Sequence, residues 1–240
     1  MKPELSPAHP QAQRDRWRGM DTDGYERMTT EREDYLAALD RPLLAICRGR
    51  VLELGSGTGR FQAKLRHEPN VDQIVGLDLA PQMLRAASAK GLSLLIQADA
   101  ERLPLASASF DTVVCAFYSL RDMDRAAVYA EVARVLRQGG RFGFTLRSYY
   151  VTYISTLWQS FVRQGRWPRC LRTLDGANGV EDDVRDFGAD VHALEGAGLR
   201  VVQIKTLQFL PFLRRFLPYG YWSGVRATRL GSDIIAVAER

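Results

Sequence analysis

Cysteine and histidine are scarce in this chain, at three each in 240 residues. Cys47, Cys115 and Cys170 lie far apart and form no C-x-x-C pair. That excludes a disulfide framework and a Cys-rich zinc site. His9, His67 and His192 form neither an H-E-x-x-H nor an H-x₃-H pair, so no metal site is expected. Both absences read as a reducing, cytoplasmic compartment. Long apolar runs are missing too: Val113–Tyr118 is among the longest, well below the ~18 residues of a membrane span. The opening MKPELSPAHPQAQRDRWRG has no apolar core followed by a small-residue cleavage site, so no secretory leader is expected. Lysine is sparse as well. Nearly all of the 33 basic residues are Arg, set against 28 acids for a net charge of +5. They are spread along the chain rather than gathered in a stripe, which reads as solvated surface charge and no nucleic-acid partner.

What remains is ordinary for a globular protein: 46% apolar, 25% charged and 10% aromatic residues, a balance that excludes wholesale disorder, collagen and coiled coil. At roughly 100–200 residues per domain the length bounds the chain to one domain, read here as 1–240 without internal repeats. The polar, proline-bearing first twenty residues read as tail or lid, and a helical stretch around Tyr25–Leu39, with an imperfect apolar face at Tyr25, Met28, Tyr35, Leu36 and Leu39, completes an N-terminal lid over 1–40. From 41 to 147 strand and helix patterns alternate. Strands are predicted at Arg50–Leu54, Ile74–Leu79, Leu92–Gln97, Phe110–Phe117 and Arg141–Leu146. Helices are predicted at Arg60–Arg66, Pro81–Lys90 and Arg121–Leu136. This alternation means an α/β fold with a parallel sheet and helices on both faces. The aromatic-rich segments 148–190 and 208–231 break the pattern and are read as acceptor-side lid. A helix at Asp190–Gly198 and strands at Val201–Leu207 and Asp233–Ala238 complete the chain.

The strongest local feature is Val51-Leu-Glu53-Leu-Gly55-Ser56-Gly57-Thr-Gly59. A strand that stops at a glycine-rich turn and opens a helix lets backbone N–H groups approach a ligand closely. In an open α/β sheet that turn sits at the carboxyl ends of the strands, where ligands bind. The spacing is G-x-G-x-G, not the G-x-G-x-x-G of dinucleotide sites, and the Lys-Ser/Thr of a phosphate loop is absent. Glu53, two residues before the first glycine, favours positive charge in the ligand and opposes a pyrophosphate. Asp78 ends the second strand, where a ribose-binding acid belongs. Asp99 follows the third strand and is offered to an exocyclic amine. Each acid taken singly reads equally well as a helix cap; three after three consecutive strands form a set.

The ordered segments ELGSGTGR, GLDLAPQML, ADAERLPLASASFDTVV and EVARVLRQGGRF resemble class I S-adenosylmethionine-dependent methyltransferases, in the small-molecule and lipid branch that includes quinone-biosynthesis enzymes. The likeness runs from about Arg50 to Leu146. It implies a Rossmann-like seven-stranded sheet of order 3-2-1-4-5-7-6 with strand 7 antiparallel. It implies S-adenosyl-L-methionine as cofactor and S-adenosyl-L-homocysteine as product. By the same likeness Glu53 and the Gly55-Ser56-Gly57 turn lie near the methionine portion, Asp78 at the ribose, Leu79 against the adenine, and Asp99 with Ala100 at the adenine edge. Phe117 lies beside the cofactor, and Tyr25 matches an aromatic that closes over it. One departure stands out. Many relatives carry a histidine just after the fourth strand, where this chain reads Phe117-Tyr118-Ser119-Leu120-Arg121.

Methyl transfer from a sulfonium is an in-line displacement, so positioning does most of the work and a base is required only for a nucleophile that must lose its proton early. The catalytic group is left open among Tyr118, Tyr149 (with Tyr150 beside it) and His192, against the alternative of tyrosines buried in the core with satisfied hydroxyls. The expected acceptor is small and apolar, aromatic or lipid-like, handled by a monomer or homodimer. The segment Phe209–Tyr219, apolar anchors around Arg214 and Arg215, also suits a membrane surface. Two other readings compete: a methyltransferase-like binding module without turnover, and a nicotinamide-dependent oxidoreductase, against which the glycine spacing and Glu53 argue.

Overall fold

The computed structural model describes residues 17, 19–148, 187–208, 221–223 and 231–240. Two helices, α1 (Thr22–Glu31) and α2 (Glu33–Leu44), precede β1 (Gly49–Leu54), α3 (Arg60–Leu65), β2 (Val71–Asp78), α4 (Pro81–Ala89) and β3 (Leu95–Gln97). Then come β4 (Phe110–Cys115), a 3₁₀ turn at Ser119–Asp122, α5 (Arg125–Val135), β5 (Leu136–Arg147), α6 (Phe187–Gly196), β6 (Arg200–Gln208), β7 (Tyr221–Ser223) and β8 (Gly231–Glu239).

The sheet order is β3-β2-β1-β4-β5-β8-β6-β7. Strands β1 to β5 pair in parallel, and β8 runs antiparallel between β5 and β6. With β8 as the seventh strand of the sequence reading, this is the expected order 3-2-1-4-5-7-6. The short β7 is an addition at the edge, antiparallel to β6; three residues are too few to leave a periodic signal, and the sequence reading had placed them within the 208–231 lid. The central strands are apolar on both faces because both are covered. Leu36, Leu39 and Leu43 of α2 and Phe61 and Leu65 of α3 pack on one side with Val51, Val114 and Ile235. Val128, Tyr129 and Val132 of α5 and Leu194 of α6 pack on the other with Leu52, Val113 and Phe142. Each fully buried leucine or phenylalanine contributes about 1.5–3 kcal/mol relative to exposure.

Several boundaries differ from the sequence reading, two of them for a local reason. The N-terminal helix is two helices, parted at Arg32. Thr29 Oγ1 donates to the Glu26 carbonyl at 2.9 Å, a back-bond that bends a helix. Helix α5 begins at Arg125, not Arg121, because the Asp124 carboxylate accepts the Ala126 and Ala127 N–H groups at 3.1 and 3.3 Å, the work of an N-cap. β4 stops at Cys115, two residues short of Phe117, and β5 starts at Leu136 rather than Arg141. α6 opens three residues early, at Phe187, inside the stretch assigned to lid. The rest of 148–190 and 208–231, apart from Ser148, Gln208, β7 and the first residue of β8, lies outside the described residues. No described helix is long and apolar enough to cross a membrane.

Candidate cofactor site

The topology puts the first strand pair that reverses direction of growth at β1 and β4, the switch point where an open α/β sheet leaves a crevice at its carboxyl edge. The glycine-rich turn lies there. Gly55 has φ +65°, and a Cβ added to it would meet Ser119 Cβ and Oγ at 2.7 Å. Gly57 has φ +55°, and its added Cβ would touch the Tyr25 hydroxyl at 3.6 Å. Both backbones are left-handed, which favours glycine, and at Gly55 the close approach of Ser119 leaves no room for a side chain. The turn is tied to β2: the Ser56 N–H donates to the Leu77 carbonyl at 3.0 Å, and the Gly57 N–H donates to Asp78 Oδ2 at 2.7 Å.

Asp78 accepts a further bond from the Ala80 N–H at 2.9 Å. Burial raises its carboxyl above the ordinary range, opposed by the N–H groups of Ala80, Gly57 and Leu79. Half-buried Leu79 follows it directly, and the Ala98 N–H donates to the Asp78 carbonyl at 3.1 Å. That bond brings Asp99 and buried Ala100 to the same edge. Asp99 Oδ1 accepts from the Glu101 N–H at 3.0 Å.

Glu53 is 2% exposed. Burial pushes its carboxyl well above the usual carboxylate range; Arg60 pulls against this, while Asp40 and Asp78 add to it. Its Oε2 is buried without a hydrogen-bond partner, as are Ser56 Oγ, Thr58 Oγ1 and Gln62 Oε1 around the same turn. Orphaned buried polar atoms are rare in native proteins. Four around one glycine turn mark a place built for a polar ligand, and the acid among them suits a ligand's cation. Tyr25 roofs the turn from α1, its hydroxyl pushed up to about 12 by burial, with Arg60 opposing. The Phe117 ring lies 6.4 Å from that of Tyr25, centroid to centroid. The sequence-predicted residues Tyr25, Glu53, Gly55, Ser56, Gly57, Asp78 and Phe117 thus surround one crevice, with Leu79, Asp99 and Ala100 along its β2–β3 side.

The three catalytic candidates part company. His192 stands on α6, 87% exposed, 4.0 Å from Glu195. Tyr149, like Tyr150, lies outside the described residues. Tyr118 is buried beside Phe117, their rings 5.6 Å apart. Both have left-handed backbones, with φ of 51° for Phe117 and 61° for Tyr118. Two successive non-glycine residues there cost about 1–3 kcal/mol each, a strain that gathers at functional sites.

Three residues beside the turn, Asp40, Arg60 and Lys64, escaped the sequence reading as members of the site. Arg60, first residue of α3, is held by both oxygens of Asp40 on α2, and Lys64 joins the same carboxylate at 2.8 Å. A signal existed: Asp40 interrupts the apolar stripe Leu36, Leu39, Leu43, and Arg60 and Lys64 share a helix face at i, i+4.

Residues 52–144 match the family described as "Methyltransferase domain". This stretch is similar to methyltransferase domains, and the sheet around it has the strand order expected of the class I, S-adenosylmethionine-dependent kind. It is 44% identical over 97 residues to a demethylmenaquinone methyltransferase of Deinococcus radiodurans, covering 38% of this chain and 40% of that one. It is 37% identical over 111 residues to a ubiquinone/menaquinone biosynthesis C-methyltransferase of Syntrophotalea carbinolica, covering 44% and 46%. Identity to an uncharacterized methyltransferase of Mycobacterium tuberculosis is 38% over 152 residues, 62% of this chain and 54% of the other. The chain thus spans about half the length of the curated relatives it matches. Among solved structures, a methyltransferase of Thermotoga maritima superposes with a TM-score of 0.68 over 96% of this chain and 99% of its own, at 18% identity, a likeness of fold.

Proposed function

We propose that the methyltransferase domain works as an enzyme, transferring the methyl group of S-adenosylmethionine to a small, apolar acceptor with an aromatic or lipid-like body. The observation that carries the reading is the enclosed Glu53 carboxylate, one oxygen unpartnered, at the glycine turn and beside Asp78. A buried acid without a counterpart is costly unless a ligand supplies the charge. Glu53 would hold the ammonium of the methionine portion, Asp78 the two ribose hydroxyls, and Asp99 with the Ala100 N–H the adenine edge. When bound, the sulfonium supplies an activated methyl carbon. The chain's part is to orient and to exclude water: Tyr25 covers the turn, and Phe117 walls it on the β4 side. Holding nucleophile and methyl in near-attack geometry supplies about 7–11 kcal/mol of such a barrier.

The acceptor class draws support from the names of two relatives, a demethylmenaquinone methyltransferase and a ubiquinone/menaquinone biosynthesis C-methyltransferase, and from the aromatic segments of the sequence. A monomer or homodimer in the cytoplasm, with no nucleic-acid partner, completes the reading. Calorimetric titration with S-adenosylmethionine and S-adenosylhomocysteine, beside NAD and NADP, tests the donor. Binding of the sulfur nucleotides that Asp78→Ala abolishes supports the reading; preference for a nicotinamide cofactor overturns it. Transfer of labelled methyl to a quinol-type acceptor then separates an enzyme from a binding module.

A further inference from the structure

The atoms that a ligand of the glycine turn would use are shut in. Ser56, Gly57, Thr58 and Gly59 are all buried, and the unpartnered oxygens of Glu53, Ser56 and Thr58 are sealed from solvent. A ligand reaches them only after part of their cover has moved. The turn itself is carried by β1 and α3, which are locked in the core through Leu52, Leu54, Phe61 and Leu65. Helix α1, which brings Tyr25 against Gly57, is held quite differently. Of its ten residues only Thr29 is buried, whereas α2 buries Leu36, Leu39 and Leu43. A segment with so little apolar burial opens at low cost. The break at Arg32, where α1 gives way to α2, is the place for it to bend.

What fastens α1 is polar. Lys90 donates to Glu26 Oε1 of α1 and, at 3.0 Å, to the Thr58 carbonyl of the turn. One ammonium thus ties the helix to the turn that it covers. Gly59 is the N-cap of α3, so Thr58 lies outside that helix and its carbonyl takes the lysine instead. The end of α4 delivers Lys90 to this place. The Gly91 and Leu92 N–H groups donate to the Ser88 and Ala87 carbonyls at 2.9 and 3.3 Å, with Gly91 left-handed at φ +78°, a glycine-ended cap that stops a helix in a fixed pose. Leu92 then packs on the turn, where a Cβ added to Gly59 would come within 2.0 Å of its Cδ1. A second bond from α4, Gln82 Nε2 to the Trp17 carbonyl at 2.7 Å, holds the chain that leads into α1.

The side chains of Lys90 and Glu26 are 42% and 38% exposed. An exposed ion pair shifts an equilibrium by at most about fivefold and is screened by salt. That strength suits a fastening that must let go each time a ligand passes. We propose that Lys90 is a positioning residue that latches α1 over the cofactor site, so that S-adenosylmethionine enters and S-adenosylhomocysteine leaves only when Lys90 releases Glu26. The proposal rests on the methyltransferase reading above. The latch closes the site with or without a ligand beneath it, so it stabilises both end states equally. It therefore slows entry and exit by the same factor and leaves the equilibrium affinity as it was. A contact made only with the ligand in place would slow exit alone.

The test measures association and dissociation rates of S-adenosylhomocysteine on the immobilised protein. This ligand carries one ammonium and one carboxylate, so its own charge adds little salt dependence. Lys90→Met and Glu26→Gln should each raise both rates by about two- to fivefold, with Kd within about twofold of wild type. Raising the salt from about 0.01 M to about 1 M cuts the screening length from about 30 Å to about 3 Å. Wild-type rates should then climb to those of the variants, whose own rates stay flat. Lys90→Glu should be faster still, and adding Glu26→Lys to it should restore part of the slow exchange, which a merely structural role would not do. Amide hydrogen exchange at Tyr25–Met28, without ligand, should rise in the same two single variants. Rates unchanged in both variants, or a rise in dissociation alone with weakened affinity, overturns the latch. If wild type does not bind S-adenosylhomocysteine, the methyltransferase reading falls, and amide exchange still decides how α1 is fastened: equal exchange in wild type and variants overturns the latch as well.

Discussion

Asp40 and Arg60, twenty positions apart, meet in a two-pronged ion pair that fastens the N-terminal helix α2 to the helix opened by the glycine turn. Asp40 is 1% exposed and Arg60 15%, so removing the acid leaves the enclosed Arg60 guanidinium without its partner, while Lys64 keeps Glu33 at 2.6 Å. Asp40→Ala should destabilise the protein by about 3–5 kcal/mol, read by urea denaturation. A loss below about 1 kcal/mol would show the pair to be energetically idle.

The contact of Tyr25 with Gly57 makes a different kind of prediction. Gly57→Ala forces a side chain into the left-handed region at about 1–2 kcal/mol and so disturbs the backbone of the turn, although its Cβ would make only an ordinary contact with Tyr25. S-adenosylhomocysteine affinity should drop at least tenfold by calorimetry. Tyr25→Phe should keep affinity near wild type and Tyr25→Ala should lose it, because the ring and not the hydroxyl does the covering.

Glu53 predicts a proton linkage of definite sign. Its folded-state pKa is raised by burial, so the folded protein holds this proton more tightly than the unfolded chain does. The stability it contributes is fully present below the ordinary glutamate range and is lost as pH rises toward the folded value. Glu53→Gln should therefore stabilise the free protein at neutral pH and flatten the pH dependence of its melting temperature above the ordinary glutamate range. A bound ammonium reverses the preference. Titration of S-adenosylhomocysteine in buffers of different ionisation enthalpy should reveal proton release in wild type and none in Glu53→Gln.

Asp190 serves as a contrast. It accepts from Arg125 and from the Tyr129 hydroxyl, both at 2.8 Å, and pins α6 on α5, on the face of the sheet away from α2 and α3. Asp190→Ala should cost about 3–5 kcal/mol of stability yet leave S-adenosylhomocysteine affinity within twofold in the folded fraction. A larger loss of affinity would show that this clamp reaches the site.

The difference between these two acids reflects what a sequence can display. Glu53, Asp78 and Asp99 were legible because each ends or follows a strand, and a parallel sheet brings consecutive strand ends to one edge whatever the loops do. The sheet order, by contrast, came from the family resemblance, since alternation alone says that the sheet is parallel but not how its strands are ordered. Asp40 with Arg60 and Tyr118 with Asp233 obey no local period: the second pair spans 115 positions, and only the insertion of β8 beside β5 brings it together. The break at Arg32 and the short β7 were hidden for another reason, since one back-bonding threonine and three edge residues carry too little pattern to outweigh their neighbours.

The placing of β8 bears on how the protein is made. It lies between β5 and β6 but follows both in the order of synthesis. A nascent chain that has completed β5 must hold a bare strand edge from Arg141 to Arg147 until β8 arrives to cover it. Such an edge is a template for any extended segment nearby, and pairing distant in sequence closes slowly. The seam between β5 and β8 is thus the point at which two newly made copies would trade strands, and the step a chaperone would have most reason to guard.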